Sequence, residues 1–287
     1  LNYITWVTES YDLKKKTNFP LFTSISFDLT ITSIFTPLAT GGKIVVFEEK
    51  EIDELLFSVF KNNDIDVVKL TPTHIKLLLT LNITCSKVEK LIVGGEKLDC
   101  RLCEQITFKL NSAIRIFNEY GPTETTVGCT SHEYNIQNDK GSSVPIGRPS
   151  ANVQIYILDS MLKPLPEGAE GEIYIGGDGV SSGYLNRVDI TKERFIENPY
   201  LFGKKIYKTG DLGRILLDGT IEYIDRIDDQ VKIRGFRIEL KEIEKHISSF
   251  NYIKEVVVLS KEEDGDKFLV VYYVSDQKLE LSELQNY

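Results

Sequence analysis

The chain has 287 residues, 41% of them hydrophobic and 27% charged, which is enough for about two globular domains with a sizeable core. Its formal net charge of −9 argues against a general nucleic-acid or anionic-membrane binder, because either function requires a basic face. No apolar run approaches the length of a membrane span, and the N-terminal LNYITWVTES lacks the basic start and apolar core of a signal peptide, so the sequence predicts a cytoplasmic protein.

Apolar strands and amphipathic helices alternate through the first half of the chain. In order they are the strand GGKIVVF, the helix EIDELLFSVFKNN, the strand IDVVKL, the helix PTHIKLLLTL, the strand VEKLIVGG, the helix EKLDCRLCEQITFKL and the strand AIRIFNEY. Such alternation predicts an α/β fold with a mostly parallel sheet over residues 1–140. Because ligands bind beyond the carboxyl ends of parallel strands, Gly94-Gly95-Glu96 and Asn118-Glu119-Tyr120 are candidate site residues.

Short strands separated by Gly, Pro and Asp replace this pattern from about Ser142. The segments ANVQIYILD, GEIYIGG and KIYKTGDLGRILLDGTIEYIDR predict a β-rich subdomain over residues 141–227. A helix, KEIEKHISSF, and two strands around the Asp264-Gly265 turn then predict a small, partial α+β domain over residues 228–287. We place the domain boundary in the polar run Asp225–Gln230.

One cysteine pair has the spacing of a metal or redox motif. Cys100 and Cys103 form C-x-x-C, but the surrounding EKLDCRLCEQITFKL has the pattern of an amphipathic helix and no second pair accompanies it. With Cys85 and Cys129 elsewhere, the sequence favours reduced cysteines in a cytoplasmic protein over zinc or a disulfide framework.

The stretch IFNEYGPTETTVG ends an apolar strand in a cluster of oxygen-bearing side chains. Taken alone, YGPTE fits either a turn of small residues or a ligand turn, in which backbone amides and hydroxyls meet an anion and Glu124 holds a hard cation. The later IGGDGVSSGY follows a strand but opens no helix, which favours a β-turn over a phosphate loop, and the sequence has no G-x-x-x-x-G-K-[ST] motif. The charge run DRIDDQVKIRGFRIE, taken alone, is typical of a solvated loop.

Together and in this order, these segments resemble the adenylation domains of nonribosomal peptide synthetases, within the acyl-adenylate-forming superfamily that also holds acyl-CoA ligases and luciferases. The matching segments span nearly the whole chain and are SFDLTITSIFTPLATGG, LTPTHIKLL, NEYGPTETTVG, GEIYIGGDGVSSGYLNR, YKTGDLGR and DRIDDQVKIRGFRIELKEIE. The resemblance implies amino-acid adenylation with ATP and Mg²⁺, followed by transfer to phosphopantetheine on a peptidyl carrier domain. It also implies a neighbouring condensation domain in a larger synthetase.

The resemblance further implies a nucleotide site, made of Gly94, Gly95, Glu96, Asn118, Tyr120, Gly121, Thr123, Asp211 and Arg226. Tyr120 would pack on the adenine, whose edge Asn118 would line. Thr123 would hydrogen-bond the α-phosphate, and Glu124 would coordinate Mg²⁺ between nucleotide oxygens. Asp211 would accept both ribose hydroxyls.

Three further roles follow from the resemblance in the last part of the chain. Lys232 would join Thr123 and Glu124 as a catalytic residue, and Lys232 and Gly235 would face the carrier arm during thiol transfer. Asp228 matches the hinge about which the small domain of the family rotates between the two half-reactions.

Carried over position by position, the amino-acid pocket of the family is lined here by Asp28, Leu29, Thr32, Lys69, Ile92, Gly94, Glu119, Val127 and Gly128. Asp28 follows the apolar SISF near the start of a predicted helix, and a carboxylate there suits an ammonium group. In the family this acid marks substrates with a free α-amine.

Lys69 is the anomaly of this set, because a lysine inside a parallel-sheet strand is costly unless its charge is paired or reaches a cavity. It either snorkels at the strand end or pairs with Glu119 on a neighbouring strand. A Lys–Glu pair offers both the donor and the acceptor that a carboxamide needs, whereas Glu119 would repel a carboxylate. The pattern also resembles the family's asparagine-type pocket, so asparagine is the predicted substrate, ahead of aspartate and glutamine.

Two family motifs, a Gly/Ser/Thr-rich phosphate loop and a C-terminal catalytic lysine, are not found in this sequence, and it begins without Met. We therefore expect an internal fragment that is not competent by itself. Two other functions stay open. One is a carboxylic-acid:CoA ligase, against which Asp28 argues because an acid without an amine would leave that carboxylate unpaired. The other is a non-catalytic nucleotide- or amino-acid-binding domain.

Overall fold

The computed structural model describes residues 1–13, 16–48, 50–83, 86–110, 112–233, 235–250, 252–263 and 266–275. The chain divides into two units, Leu1–Ile227 and Asp228–Tyr287. Two details of the sequence analysis, Cys85 and the Asp264-Gly265 turn, lie outside the described residues.

The helices and strands of the first unit follow the hydrophobic pattern of the sequence. The helices are α1 (Asn2–Ser10), α2 (Leu29–Thr40), α3 (Ile52–Lys61), α4 (Pro72–Thr80), α5 (Cys100–Leu110) and α6 (Val188–Arg194). The strands are β1 (Phe19–Leu21), β2 (Ile44–Val46), β3 (Val67–Leu70), β4 (Lys90–Val93), β5 (Arg115–Tyr120), β6 (Thr130–Glu133), β7 (Arg148–Pro149), β8 (Val153–Leu158), β9 (Gly171–Gly177), β10 (Phe195–Glu197), β11 (Lys205–Ile215) and β12 (Ile221–Arg226). Helix α1 was not predicted from the sequence.

A five-stranded sheet with the order β3-β4-β5-β6-β7 forms the core of the first unit. Strands β3, β4 and β5 are parallel, while β6 and β7 join antiparallel. Strand β2 does not belong to this sheet, because it pairs in parallel with β1 in a separate two-stranded sheet. The predicted parallel arrangement therefore holds for β3, β4 and β5.

The two faces of this sheet have different neighbours, since successive strand side chains point to opposite sides. We call one the apolar face; it packs on α3, α4 and α5 through Val68, Leu70, Leu91, Val93 and Ile116. We call the other the α1 face; there Val67, Ile92 and Phe117 pack on the α1 residues Tyr3, Trp6 and Val7. Helix α2 also contacts α1 and β3.

Local signals position the helices that flank the sheet. Helix α4 begins at Pro72, and Thr71 and His74 form a capping box in which His74 Nδ1 accepts a hydrogen bond from the Thr71 amide at 3.1 Å. Helix α2 ends at Gly41, whose φ of 72° is the left-handed value typical of a helix C-terminus.

The β-rich part of the first unit is a second five-stranded sheet. Its path is β10-β11-β9-β8, with β12 paired to β11, and all these pairs are antiparallel. Strands β11 and β12 bring Asp211 directly opposite Arg226.

In the part of the second unit that the structure describes there are two antiparallel strand pairs and one helix. They are β13 (Gln230–Ile233) with β14 (Phe236–Glu239), α7 (Leu240–Ile247), and β15 (Ile253–Glu263) with β16 (Asp266–Ser275). Leu240, Ile247 and Val258 form its buried core. Among the described residues of both units, no helix has the length and hydrophobicity needed to cross a membrane.

Candidate active site

The parallel strands bring the pocket candidates to one end of the α1 face. Lys69 on β3 is in register with Ile92 on β4, which is in register with Phe117 on β5. Glu119 is two residues beyond Phe117 and therefore shares its face. The strand register thus places Lys69 and Glu119 near each other.

A closed hydrogen-bond cluster surrounds this pair. Lys69 and Glu119 form an ion pair in which each side chain is only 2% exposed. Lys69 Nζ also donates to the hydroxyl oxygens of Tyr3 and Thr32, each at 2.8 Å. Tyr3 donates to Glu119 Oε1 at 3.0 Å, and Tyr11 donates to Glu119 Oε2 at 2.5 Å. The three ammonium protons of Lys69 each have an acceptor, and both Glu119 oxygens have a donor. We call these five residues the Lys69–Glu119 cluster.

Burial keeps the two phenols of the cluster protonated. Desolvation, reinforced by the nearby Glu119 charge, raises the pKa of Tyr3 and of Tyr11 well above the ordinary phenol value. Both hydroxyls therefore remain hydrogen-bond donors, which is what a carboxylate requires. A buried ion pair is tolerated when its remaining hydrogen bonds are satisfied in this way.

Two glycines provide the space that Glu119 occupies. A Cβ atom at Gly128 would lie 2.5 Å from Glu119 Oε1, and one at Gly94 would lie 3.0 Å from the Glu119 backbone oxygen. Ile92 and Val127 supply apolar contacts, since Val127 packs against the cluster of buried residues that contains Ile92. Seven of the nine predicted pocket positions therefore lie within the Lys69–Glu119 cluster, beside Glu119 or in the apolar cluster of the α1 face: Thr32, Lys69, Ile92, Gly94, Glu119, Val127 and Gly128.

The remaining two pocket positions lie at the start of α2. Leu29 is buried, and Asp28 Oδ2 accepts a hydrogen bond from Thr123 Oγ1 at 2.6 Å. The predicted acceptor of a substrate amine thus bonds directly to the predicted donor to a phosphate.

Thr123 belongs to a turn that connects β5 to β6. One turn of 3-10 helix spans Thr123–Thr125, and Thr126 and Val127 follow with φ values of 69° and 67°. Left-handed backbone costs non-glycine residues roughly 1–2 kcal/mol each. A Cβ at Gly121 would lie 2.7 Å from Gly128 Cα, so the two ends of the turn are in close backbone contact. We call residues 121–128 the crossed turn.

Three predicted nucleotide residues from three strands form one hydrogen-bonded chain. Tyr120 donates to Asp211 Oδ2 at 2.6 Å, and Arg226 donates to Asp211 Oδ1 at 2.7 Å. Asp211 is 2% exposed, and desolvation together with its charge raises the pKa of Tyr120. Both Asp211 oxygens already accept a hydrogen bond, so a ribose would share or replace these donors.

Two other predicted nucleotide residues use their side chains to hold backbone. Asn118 Nδ2 donates to the carbonyl oxygens of Val144 and Pro145, each at 2.9 Å. Glu96 accepts hydrogen bonds from the amide and hydroxyl of Thr73, in the first turn of α4. Gly94 and Gly95, which precede Glu96, have no side chain and can offer only backbone groups to a ligand. Gly95 has a φ of 88°. The contact of this segment with adenine stays a prediction.

Glu124, the predicted metal ligand, is held by a tyrosine from the β-rich part. Tyr184 donates to Glu124 Oε1 at 2.6 Å, and the Tyr184 amide donates to Thr191 Oγ1 at 2.9 Å. Burial raises the pKa of Tyr184, so its hydroxyl keeps the proton. Mg²⁺ is typically bound by one or two carboxylates together with substrate phosphates. A single oriented carboxylate fits that donor set, and within the described residues there is no cluster of three or more acidic, His or Cys ligands.

The last candidates lie in the second unit. Lys232 on β13 pairs with Arg237 on β14, and Gly235 has a φ of 81° in the turn between them. Asp228 Oδ1 accepts a hydrogen bond from the Gln230 amide at 3.4 Å. Their predicted roles in catalysis, carrier contact and hinge motion stay predictions.

The cysteine pair forms part of the core. Cys100 and Cys103 are buried in α5 with free thiols, and burial raises the pKa of Cys100 to about 11. Thiols in this state are poor nucleophiles and poor metal ligands.

Sequence reasoning missed three tyrosines that hold site carboxylates: Tyr3, Tyr11 and Tyr184. The first two have a sequence signal, because Tyr3, Trp6, Val7 and Tyr11 recur with the 3.6-residue spacing of one helix face. Tyr184 has no comparable signal, since it lies in a loop between β9 and α6.

Comparisons with known proteins show which family the chain belongs to. A family model described as AMP-binding enzyme matches residues 1–185. Tyrocidine synthase 3 of Brevibacillus parabrevis is 46% identical over 288 residues, which is 100% of this chain but 4% of that protein. The adenylation domain AlmE of Vibrio cholerae, solved in complex with glycyl-adenosine-5'-phosphate, has a TM-score of 0.86 and 26% identity over 98% of this chain and 54% of its own. An NRPS protein containing adenylation and PCP domains has a TM-score of 0.87 and 25% identity over 98% of this chain and 58% of its own.

The chain therefore belongs to the AMP-binding enzyme family. Its similarity to the adenylation domains of nonribosomal peptide synthetases and its α/β fold class, both predicted from the sequence, are confirmed. The chain corresponds to a small part of the length of tyrocidine synthase 3.

Proposed function

We propose that this chain is the substrate-selecting part of an enzyme that adenylates an amino acid. The observation that carries the proposal is the 2.6 Å hydrogen bond between Asp28 and Thr123. It puts a carboxylate suited to a substrate α-amine next to a hydroxyl suited to a phosphate. An α-amino acid bound at Asp28 would thus have its own carboxylate close to the α-phosphate of ATP.

In the proposed reaction a carboxylate oxygen of the amino acid attacks the α-phosphorus of ATP. The bond from that phosphorus to the bridging oxygen breaks, and pyrophosphate leaves, giving aminoacyl-AMP. Asp28 binds the substrate ammonium, Thr123 donates to the α-phosphate, and Tyr120 and Asp211 hold the nucleoside. Bound Mg²⁺, held by Glu124, would neutralise the phosphate charge. Such chemistry depends on positioning and charge rather than on a nucleophilic side chain.

We further propose that the substrate side chain is a carboxamide, with asparagine as the specific candidate. The Lys69–Glu119 pair is neutral as a whole and contains both a donor and an acceptor, which a substrate group would reach by sharing or replacing their present partners. A carboxamide can satisfy both, whereas the carboxylate of aspartate meets the like charge of Glu119. Glu119→Gln should shift the preference from asparagine towards aspartate by roughly 1–3 kcal/mol, since one buried charged partner is lost. A variant with unchanged preference would place the side-chain contact elsewhere.

The second proposed half-reaction transfers the acyl group to a carrier. The phosphopantetheine thiolate attacks the carbonyl carbon of aminoacyl-AMP, the carbon–oxygen bond to AMP breaks, and a thioester forms. A peptidyl carrier domain is the proposed partner because an NRPS protein with a PCP domain shares the fold over 98% of this chain. A neighbouring condensation domain is proposed on the resemblance alone. Lys232 and Gly235 are the proposed carrier-facing residues, and Asp228 is the proposed pivot.

Amino-acid-dependent ATP–pyrophosphate exchange, measured on the full-length protein with all twenty amino acids, tests the adenylation proposal. Asp28→Ala should abolish exchange while ATP binding persists. Asp28→Asn is a matched variant that keeps an acceptor for Thr123 and removes only the charge, so it should also lose amino-acid affinity. Full exchange by Asp28→Asn would remove the carboxylate from amine recognition.

The pivot has its own test. Asp228→Pro restricts φ at that residue and should slow thioester formation far more than adenylate formation. An equal effect on both half-reactions, or none, would contradict the hinge.

A further inference from the structure

Helix α1 and the residue that follows it, Tyr11, contribute two phenol hydroxyls to the Lys69–Glu119 cluster. Tyr3 Oη lies within hydrogen-bond distance of three groups, at 2.8 Å from Lys69 Nζ, 3.0 Å from Glu119 Oε1 and 2.5 Å from Thr32 Oγ1. Tyr11 Oη lies 2.5 Å from Glu119 Oε2. Neither residue is among the pocket positions carried over from the family.

The two hydroxyls do different work in this cluster. Tyr3 accepts one of the three Lys69 protons and donates its own proton to Glu119 Oε1, which Lys69 also contacts, so loss of Tyr3 would leave a Lys69 proton unmatched while Oε1 keeps a donor. Tyr11 donates to the Glu119 oxygen that Lys69 does not contact. Tyr3 therefore provides an acceptor that Lys69 needs, whereas Tyr11 provides a donor that Glu119 needs.

A substrate side chain competes with Tyr3 and Tyr11 for the N–H donors of Lys69 and the acceptor oxygens of Glu119. If the Tyr3 hydroxyl is removed, Lys69 gains an unmatched proton, which an acceptor-only group such as a carboxylate would satisfy. If the Tyr11 hydroxyl is removed, Glu119 gains an unmatched lone pair, which only a group with an N–H or O–H can satisfy. A buried polar group without a partner costs free energy, so the substrate that supplies the partner is favoured.

We propose that Tyr3 and Tyr11 are positioning residues that determine which side chain the pocket selects, by balancing the donors of Lys69 against the acceptors of Glu119. This inference rests on the proposed function, because it assigns the selectivity of the same amino-acid pocket. It adds α1 to the elements that define specificity.

The test compares ATP–pyrophosphate exchange with asparagine and with aspartate in the full-length protein. Tyr3→Phe should lower the asparagine-to-aspartate ratio of kcat/KM by about fivefold, and Tyr11→Phe should raise it by a similar factor, as expected for one hydrogen bond. Most of the change should lie in the amino-acid KM, while the KM for ATP stays unchanged. Opposite signs are not expected from simple loosening of α1.

Tyr174→Phe is the matched control. Tyr174 is also buried and donates to a carboxylate, Glu172 Oε2 at 3.0 Å, but it lies on β9. Its removal should leave the ratio unchanged. If Tyr3→Phe fails to fold, the direction in which Tyr11→Phe changes the asparagine-to-aspartate ratio still tests the proposal.

The outcomes distinguish the role of Tyr3 and Tyr11 from the proposed adenylation function. Ratios that stay at the wild-type value, or that move in the same direction in both variants, overturn the role of Tyr3 and Tyr11 and leave the proposed function intact. If the wild-type full-length protein shows no ATP–pyrophosphate exchange with any amino acid, the proposed function is overturned, and this inference with it.

Discussion

The two faces of the β3–β5 sheet use the same strands for different purposes. On the apolar face, residues such as Leu70, Leu91 and Val93 are fully buried among aliphatic side chains of α3, α4 and α5. On the α1 face, the neighbouring residue Lys69 is also buried but is bonded to one phenol, one aliphatic hydroxyl and one carboxylate. Residues one position apart along a strand are therefore subject to different constraints.

The difference separates the residues that stabilise the sheet from those proposed to select the substrate. Burial of apolar area is non-directional and tolerates volume-conserving exchange. A buried polar cluster is directional, and each member depends on the others. We expect changes on the apolar face to alter stability alone and changes on the α1 face to alter selection as well.

Adjacent substitutions on β3 should show the largest contrast. Lys69→Met leaves Glu119 buried without its partner, which typically costs 3–5 kcal/mol of stability, and should also abolish amino-acid selection. Leu70→Ala should cost about 2–5 kcal/mol through a cavity while the ratio between amino acids stays unchanged. Urea unfolding and pyrophosphate exchange measure the two effects. A change of selectivity in Leu70→Ala would show that the faces are not independent.

The helix layer on the apolar face should carry a pH dependence of stability in mildly acidic solution. Burial lowers the pKa of His74, in the first turn of α4, to about 4, against an ordinary value of 6.5. Between these values the unfolded chain binds a proton that the native state does not, so stability falls as the pH is lowered from 6.5 to 4, by up to about 3 kcal/mol. His74→Gln keeps an acceptor for the Thr71 amide but does not titrate. Its unfolding free energy should therefore fall less over this range, and parallel curves for the two proteins would contradict the assignment.

A single methyl group should produce the smallest effect. Gly128→Ala places a Cβ 2.5 Å from Glu119 Oε1 and must displace the carboxylate, at a cost of about 1–3 kcal/mol, with altered selectivity. Gly141→Ala is a control, since its Cβ would make only ordinary contacts at 3.5 Å. Unfolding free energies and exchange ratios distinguish the two. Equal behaviour would mean that the pocket yields to the methyl group.

Much of the fold could be predicted because its signals are local. Pro72 marks the start of α4, and the apolar runs around Val68 and Leu91 mark buried strands. The contact between Lys69 and Glu119 could be anticipated from the cost of burying a lysine on such a strand. Their role in substrate selection stays a prediction.

The tyrosines that bond to this pair could not be predicted, because no local sequence pattern indicates their contacts. Tyr3 reaches Lys69 across 66 residues of chain, and Tyr11 reaches Glu119 across 108. A tyrosine on a helix face is equally typical of a core, so its hydroxyl has no meaning until the packing of α1 on the sheet is known. The same holds for Tyr184 and Glu124, which are 60 residues apart.

The crossed turn has a consequence for engineering a different amino-acid preference into this chain. Its two left-handed residues, Thr126 and Val127, fix the path between Thr123, the proposed phosphate donor, and Gly128, a proposed pocket residue. Exchanging pocket positions one at a time would leave a loop shaped for the old side chain. A donor segment transplanted whole, from the end of β5 to the start of β6, would bring its own curvature with it.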